Sequence, residues 1–414
     1  MFTFKLSVFL CFAVFTFVEA GQYDGKVLRV VPQTNEDLEN LRSLVDEDGL
    51  QIDFWQGPAE VGRNVDIYVH EANLATVFEL LKNFKLSYTV LIDDVQGEVD
   101  NENPPTSRAG GFQYERYNTL SAIHAEMQKL ASTHSNIASL FSTGKSYEGN
   151  EQFAVKIRSQ NSRKPKKTFF VNCGIHAREW ITPATCMYMI REMLTKYGTD
   201  SSVKSMVDKM DWVIMPSLNP DGYKYTWNAN RMWRRTKTKH SGCTGADPNR
   251  NWNYKWGGVG TSSSCGDTYH GPRPFSEVET YNVAKYLLKQ RRNLIGYMDI
   301  HAYSQLWMTP WGYKRAYPND SGEQMRVGKI AANALRNAGY GTTYKVGPSS
   351  VIIYATSGTT GDWASGFLGV KYSYALELRD KGRHGFLLPA SQIIPTGVET
   401  FAAMKAMANA MKLS

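Results

Sequence analysis

The segment Gly174-Ile175-His176-Ala177-Arg178-Glu179-Trp180 sets a histidine and a carboxylate three residues apart. A second histidine, His301, follows far downstream in Met298-Asp299-Ile300-His301-Ala302-Tyr303-Ser304-Gln305. Two imidazoles and one carboxylate are the ligand set of a catalytic zinc whose fourth position stays open. Glu377, in Ala375-Leu376-Glu377-Leu378-Arg379-Asp380, supplies a carboxylate suited to act as base beside such a metal. The set points to metal-assisted hydrolysis. An H-x-x-E pair alone is weak evidence, because such pairs recur on helix surfaces, and a lone histidine at a strand end is commonly a satisfied core residue. The setting strengthens both. Residues 168–173 are apolar and β-prone and read as a buried strand. His176 and Glu179 follow at its end, and 297–303 is a second strand-like run with His301 near its end. Functional groups of open α/β sheets collect beyond such strand ends.

Those residues need a scaffold that joins distant segments. From residue 109 onward strands and helices alternate: helices at 117–135, 183–197, 276–291, 322–338 and 394–413, strands at 210–215 and 370–378. Such alternation predicts an α/β domain with a mixed central sheet flanked by helices on both faces. Ahead of it, strands at 26–31, 50–55, 64–69 and 86–92 and helices at 35–48 and 74–84 give the order β-α-β-β-α-β of a ferredoxin-like α+β domain. Thr34 is the expected N-cap of the first helix, with Leu38, Leu41, Leu44 and Val45 on one face. The stretch 101–108 is polar and Pro-rich and reads as an exposed, protease-accessible linker.

Lys5, the apolar stretch 6–18 and Val18-Glu19-Ala20 read as a signal peptide over 1–20. The apolar stretch is short for a bilayer span, and no later segment has the length and apolarity for one. The expected division is therefore 1–20, 21–108 and 109–414. Composition, with 42% hydrophobic and 21% charged residues, is that of a globular protein and excludes a disordered chain. The formal net charge of +8 hides an asymmetry: 21–108 carries about −10 and 109–414 about +18. An acidic partner docked on a basic body is one reading; two unrelated solvated surfaces are the other. No nucleic-acid module is recognisable, although the basic run Arg234-Arg235-Thr236-Lys237-Thr238-Lys239-His240 keeps polyanion binding open beside a solvated loop. Beyond the signal peptide four cysteines remain, Cys173, Cys186, Cys243 and Cys265, and they allow three pairings.

The motifs are dense and ordered. His176-Ala177-Arg178-Glu179-Trp180, Asn219-Pro220-Asp221-Gly222-Tyr223, Asn230-Arg231-Met232-Trp233-Arg234 and Asp247-Pro248-Asn249-Arg250-Asn251-Trp252 come first. His301-Ala302-Tyr303-Ser304-Gln305, Ile353-Tyr354, Glu377-Leu378-Arg379-Asp380 and Gly385-Phe386-Leu387-Leu388-Pro389-Ala390-Ser391-Gln392-Ile393-Ile394-Pro395 follow. Together they resemble the zinc metallocarboxypeptidases of the pancreatic A/B family, over nearly the whole chain after the N-terminus.

The resemblance implies a secreted proenzyme whose segment 21–108 is an activation domain, cut near Arg108 by a trypsin-like protease, and which acts as a monomer on peptide or protein C-termini. It implies one Zn²⁺ on His176, Glu179 and His301, with Glu377 as general base and Arg234 as the cation for the oxyanion. It assigns the substrate carboxylate to Arg250, helped by Asn249 and Tyr354, and a more distant peptide contact to Arg178. Arg231 and Arg235 read as solvated neighbours. The family pattern also pairs Cys173 with Cys186 and Cys243 with Cys265. Side-chain preference is where the pattern departs. Gly361 stands where basic-preferring members have an acidic residue and others an apolar one. Asp299 lies on the face of its strand shared with His301, where the family usually has a small residue. An unpaired Asp299 in the pocket predicts preference for C-terminal Lys or Arg; a paired one predicts aromatic or aliphatic residues. Two other functions remain to be weighed: a non-catalytic peptide- or glycan-binding relative, and a zinc deacylase of small molecules.

Overall fold

The computed structural model describes residues 21–44, 50, 52–104, 111–160, 166–262 and 266–413. The expected signal peptide, the junction at Arg108 and Cys265 lie outside the described residues. In chain order the first part contains β1 (Gly25–Val30), α1 (Asn35–Ser43), β2 (Ile52–Gln56), β3 (Val65–His70), α2 (Glu71–Asn83), β4 (Tyr88–Ile92) and α3 (Val95–Glu102). The strand order β2-β3-β1-β4, with every pairing antiparallel, is the expected ferredoxin-like sheet. Thr34 caps α1 in a reciprocal capping box with Asp37. The strands alternate. Leu28, Val30, Ile67 and Val69 pack with Leu41, Val77 and Leu81 of the two helices. Val27, Trp55 and Tyr68 on the other face join the core of the second part.

The second part runs α4 (Leu120–Thr133), β5 (Ala138–Lys145), β6 (Glu151–Ile157), β7 (Thr168–Cys173), α5 (Ile181–Thr195), α6 (Ser201–Lys209), β8 (Asp211–Met215) and α7 (Pro220–Asn228). After the two-residue strands β9 (Lys239–His240) and β10 (Cys243–Thr244) come α8 (Val278–Gln290), β11 (Leu294–His301), β12 (Leu306–Thr309), α9 (Ser321–Arg336) and β13 (Lys345–Pro348). The short α10 (Ser349–Ile352) and α11 (Thr360–Gly366) precede β14 (Tyr372–Glu377) and α12 (Ile393–Ala410). Among the described residues the sheet has eight strands in the order β13-β12-β14-β11-β7-β8-β6-β5. Its centre, β14-β11-β7-β8, is parallel, and antiparallel pairings flank it.

Both faces of the centre are covered, so β7 is buried at every position. Phe169, Val171 and Cys173 face a core shared with α5 and α12, while Phe170 faces one shared with α8 and α11. The disulfide Cys173–Cys186 ties the end of β7 to α5. The partner expected for Cys243, Cys265, lies outside the described residues.

Two expectations need correction. The polar stretch at 101–108 does not begin as exposed linker: α3 runs to Glu102, which is 2% exposed. Arg231, expected to be solvated, is buried too and receives it in a bidentate ion pair (2.7 and 2.6 Å). Two charges this deep are tolerable because they pair with each other and because Arg231 also donates to the carbonyls of Arg178 and Phe386. The charge asymmetry has a counterpart at this interface. Acidic Asp53 and Glu60 of the first part meet basic Arg178 and Arg315 of the second.

Candidate active site

The three adjacent parallel strands β7, β11 and β14 end side by side, and the site is built on those ends. In register His301 lies beside Glu377 and Ile300 beside Cys173. The chain leaves β7 through Gly174 at φ +61°, where an added Cβ would stand 3.0 Å from the Pro216 carbonyl. Glycine therefore suits this tight exit. Hydrogen bonds from Gly174 N to Thr182 Oγ1 and from Ala177 N to Arg234 O hold the loop that presents His176 and Glu179.

His176, Glu179 and His301 are each 3% exposed, and one donor atom from each lies within 4.8 Å of the others. The converging atoms are Nδ1 of both histidines and the Glu179 carboxylate. His176 Nδ1 stands 2.7 Å from Glu179 Oε1, and His301 Nδ1 stands 3.4 Å from Glu179 Oε2. Each remaining ring nitrogen faces a carboxylate: His176 Nε2 to Asp247 at 3.0 Å and His301 Nε2 to Asp299 at 2.8 Å. Protons held at Nε2 leave both Nδ1 lone pairs aimed at one point. A borderline-soft dication with N and O ligands fits this set, as zinc does. Burial raises the Asp247 carboxyl, but Arg234, His176 and Arg250 outweigh it and hold it well below the ordinary range. Desolvation pushes the Glu377 carboxyl up to about 8, against the pull of His301 and Arg234. A dication held at the triad pulls it down again.

A cleft of about 400 Å³ joins these groups to Arg234, Asn249, Arg250 and Tyr354. Arg250 is 2% exposed, with Nε on Gly260 O (2.8 Å) and Nη1 on Asn249 O (2.9 Å), so its guanidinium plane is fixed. Arg234 is held by Asp247 Oδ2 at 2.8 Å. Arg178 stands apart from the metal ligands, stacked on Phe386 and paired with Asp53 of β2 at 2.7 Å.

Asp299, a candidate substrate contact whose pairing the sequence left open, is paired and sits behind the pocket. It shares the His301 face of β11, but its oxygens accept from Asn172 Nδ2 (2.6 Å) and Thr360 Oγ1 (2.7 Å) as well as facing His301. It is 0% exposed, and a carboxylate at that depth needs such partners. The cleft wall is instead formed by Met308, Ile352, Gly361 and Ala375, with Asp362 whose oxygens accept the amides of Gly312 and Tyr313. Burial raises the Asp362 carboxyl to about 6, and those amides oppose the rise.

Two contributors were not singled out from the sequence. Asp247 backs His176 and anchors Arg234; its only signal was its place two residues before Asn249. The second is the wall made by the first part of the chain, where Trp55, Gln56 and Arg63 line the cleft. Arg63 donates to the carbonyls of Val351 and Ile352, and Tyr303 Oη donates to Asp66 at 2.7 Å. Nothing local in the sequence announces contacts between segments this far apart.

Residues 123–403 match the zinc carboxypeptidase family, and residues 28–102 match the carboxypeptidase activation peptide. The chain is 40% identical over 389 residues to carboxypeptidase A2 of Rattus norvegicus, covering 92% of each. It is 39% identical over 392 residues to carboxypeptidase A4 of Mus musculus, again covering 92% of each. Among solved structures it resembles thrombin activatable fibrinolysis inhibitor with a TM-score of 0.86 and 32% identity, covering 93% of this chain and 98% of that one. It also resembles carboxypeptidase A from Helicoverpa armigera with a TM-score of 0.85 and 25% identity, covering 94% and 98%.

Replacing His176, Glu179 or His301 singly by Ala is expected to lower bound zinc well below one ion per chain and to abolish peptide hydrolysis. Elemental analysis after dialysis measures the first. Stoichiometric zinc in all three variants would refute the ligand assignment.

Proposed function

The chain belongs to the zinc carboxypeptidase family and carries its activation peptide, and on that premise we propose that cutting near Arg108 frees an exopeptidase for peptide C-termini that prefers apolar to basic last residues. The observation that carries this reading is the shared cleft, where the metal-ligand triad, Glu377 and the buried Arg250 face one volume. The exopeptidase step needs a hydrolytic centre and a carboxylate anchor together. A peptide-binding relative without chemistry is disfavoured because the ligands and Glu377 are all present, and a small-molecule deacylase because the anchor is too. The proposed domain division is a leader over 1–20, an activation domain with linker over 21–108 and a catalytic domain over 109–414. The apolar leader supports secretion, and the disulfide Cys173–Cys186 suits an oxidising compartment.

When bound at His176, Glu179 and His301, zinc supplies Lewis-acid polarisation of the scissile carbonyl and acidifies the attacking water. The chain does the rest. Arg250 receives the two oxygens of the substrate carboxylate in a fork, and Asn249 and Tyr354 line the same cleft beside it. Glu377 takes one proton from the water as its oxygen bonds to the carbonyl carbon. Arg234, already fixed on Asp247, faces the negative charge that builds on the carbonyl oxygen. Glu377 then passes its proton to the leaving nitrogen as the C–N bond breaks.

In the proenzyme Asp53 occupies Arg178, the proposed contact for the upstream peptide, and β2 walls the cleft. Desolvation leaves the Asp53 carboxyl raised to about 6 despite the pull of Arg178. The apolar preference rests on the cleft wall: Met308, Ile352 and Ala375 line it, and the carboxylates of Asp299 and Asp362 are already committed.

Trypsin treatment of the purified proenzyme should release activity with a new N-terminus at about residue 109; full activity beforehand would contradict the zymogen reading. In the activated enzyme Glu377→Gln should keep zinc but lose about 10²–10⁴-fold in kcat. Arg250→Ala should erase the discrimination between free and amidated peptides, and wild-type discrimination in that variant would remove Arg250 from carboxylate recognition.

On peptides differing only in the last residue, kcat/KM should favour Phe or Leu over Lys by roughly tenfold or more. A Cβ at Gly361 meets only Ser373 Oγ, at 3.7 Å, so a side chain fits there. Gly361→Asp should therefore shift the order toward Lys and Arg. A wild-type enzyme that already prefers Lys would overturn the apolar assignment.

A further inference from the structure

Resting on the metal-ligand reading above, we infer that Asp299 is a positioning residue for the zinc ligand His301, and that it fastens this ligand to the turn lining the specificity pocket. Its carboxylate touches no cleft space, yet it is held more tightly than a filler residue needs. Oδ2 stands 2.8 Å from His301 Nε2 and accepts from Thr360 Oγ1 at 2.7 Å, and Oδ1 accepts from Asn172 Nδ2 at 2.6 Å. The next residue in the chain of contacts is also fixed, because Asn172 Oδ1 accepts from Tyr297 Oη. Residues 297, 299 and 301 lie on one face of β11, so one strand carries the ligand, its acceptor and a support for that acceptor.

The imidazole of His301 can give its Nδ1 lone pair to a metal only if its proton sits on Nε2. An acceptor at Nε2 selects that tautomer, fixes the ring plane and increases the donor strength of Nδ1, and an ionised carboxylate does so more strongly than a neutral oxygen. Asp247 stands in the same relation to His176. Both histidines are thus backed by a buried carboxylate.

Asp299 also reaches the pocket. Thr360 begins α11, its hydroxyl donates to Asp299 Oδ2 and its amide donates to Asn249 Oδ1 at 2.9 Å. The turn bearing Gly361, and through it the Asn249 side chain, are therefore tied to the carboxylate that backs His301. On this arrangement Asp299 sets how well the metal is held and leaves the choice of side chain to the cleft wall.

The test uses the full-length chain and zinc alone, with the dissociation constant measured by competition against a chromophoric chelator. Asp299→Asn keeps the shape and removes the charge. Its zinc affinity should fall about 10–100-fold, the usual loss when such a partner is removed. Its metal-free form should still unfold cooperatively, so that a loss of zinc affinity is not a loss of fold. Thr360→Val, which removes one of the donors holding Oδ2, should weaken zinc binding less and in the same direction, and it stands in if the Asn variant does not fold. His301→Ala is the reference. Tight zinc binding there would mean that the ligand reading has failed. Zinc lost in His301→Ala but held with wild-type affinity in Asp299→Asn and Thr360→Val would overturn the positioning role alone. After trypsin activation at saturating zinc, the ratio of kcat/KM for Lys and Phe substrates should be unchanged in Asp299→Asn. A tenfold change in that ratio with unaltered zinc affinity would make Asp299 a specificity residue instead.

Discussion

The site depends on the burial of several like charges in one place. Glu179, Asp247, Asp299 and Glu377 crowd around two histidines at the ends of three neighbouring strands, and the first three are almost fully buried. Carboxylates at that density repel one another and lose their water, and either effect alone would protonate or expel them. They are held because each has assigned donors. Asp247 has Arg234 and a backbone amide, Asp299 has Asn172 and Thr360, and Glu179 has the amide of Ala302. A dication at the centre completes the compensation. The parallel sheet supplies the rigidity, since neighbouring strands in fixed register cannot let one ligand drift from another.

The same physics operates at the interface with the activation domain. Glu102 with Arg231 and Asp53 with Arg178 are acid-to-base pairs across it, and the first is buried on both sides. Such pairs add little net stability over an apolar contact, but a lone partner is costly, so they penalise any other docking arrangement. The apolar face of the four-stranded sheet, with Val27, Trp55 and Tyr68 in the shared core, supplies the adhesion. Arg178 also stands on Phe386, a lining residue of the cleft, so the Asp53 contact reaches the cleft wall through that ring.

The legibility of the chain follows the range of the interactions. The ferredoxin-like order could be read from period-two strands and capped helices, and Thr34 performs the predicted capping. Edge strand β5 and its neighbour β6 carry mixed polarity that shows no clear alternation in the sequence, and the four-residue β12 and β13 are too short to show a period. Helix α3 was masked by a polar composition that suits a linker; its burial depends on Arg231, more than a hundred residues away. Asp299 shows the division within one residue. Alternation along β11 put it on the His301 face, and that much was readable.

Its partners were not, because Asn172 comes from β7 and Thr360 from α11, and no spacing in the chain records a contact between them. The sequence by itself determined which residue types are available and the family pattern that orders them, since residue chemistry and local period are written in the chain. Tertiary structure alone decided which of the acidic side chains meets solvent, which supports a metal ligand and which is spent on docking. The reason is that the state of a buried charge is set by the donors around it, and folding brings those donors from elements far apart in sequence.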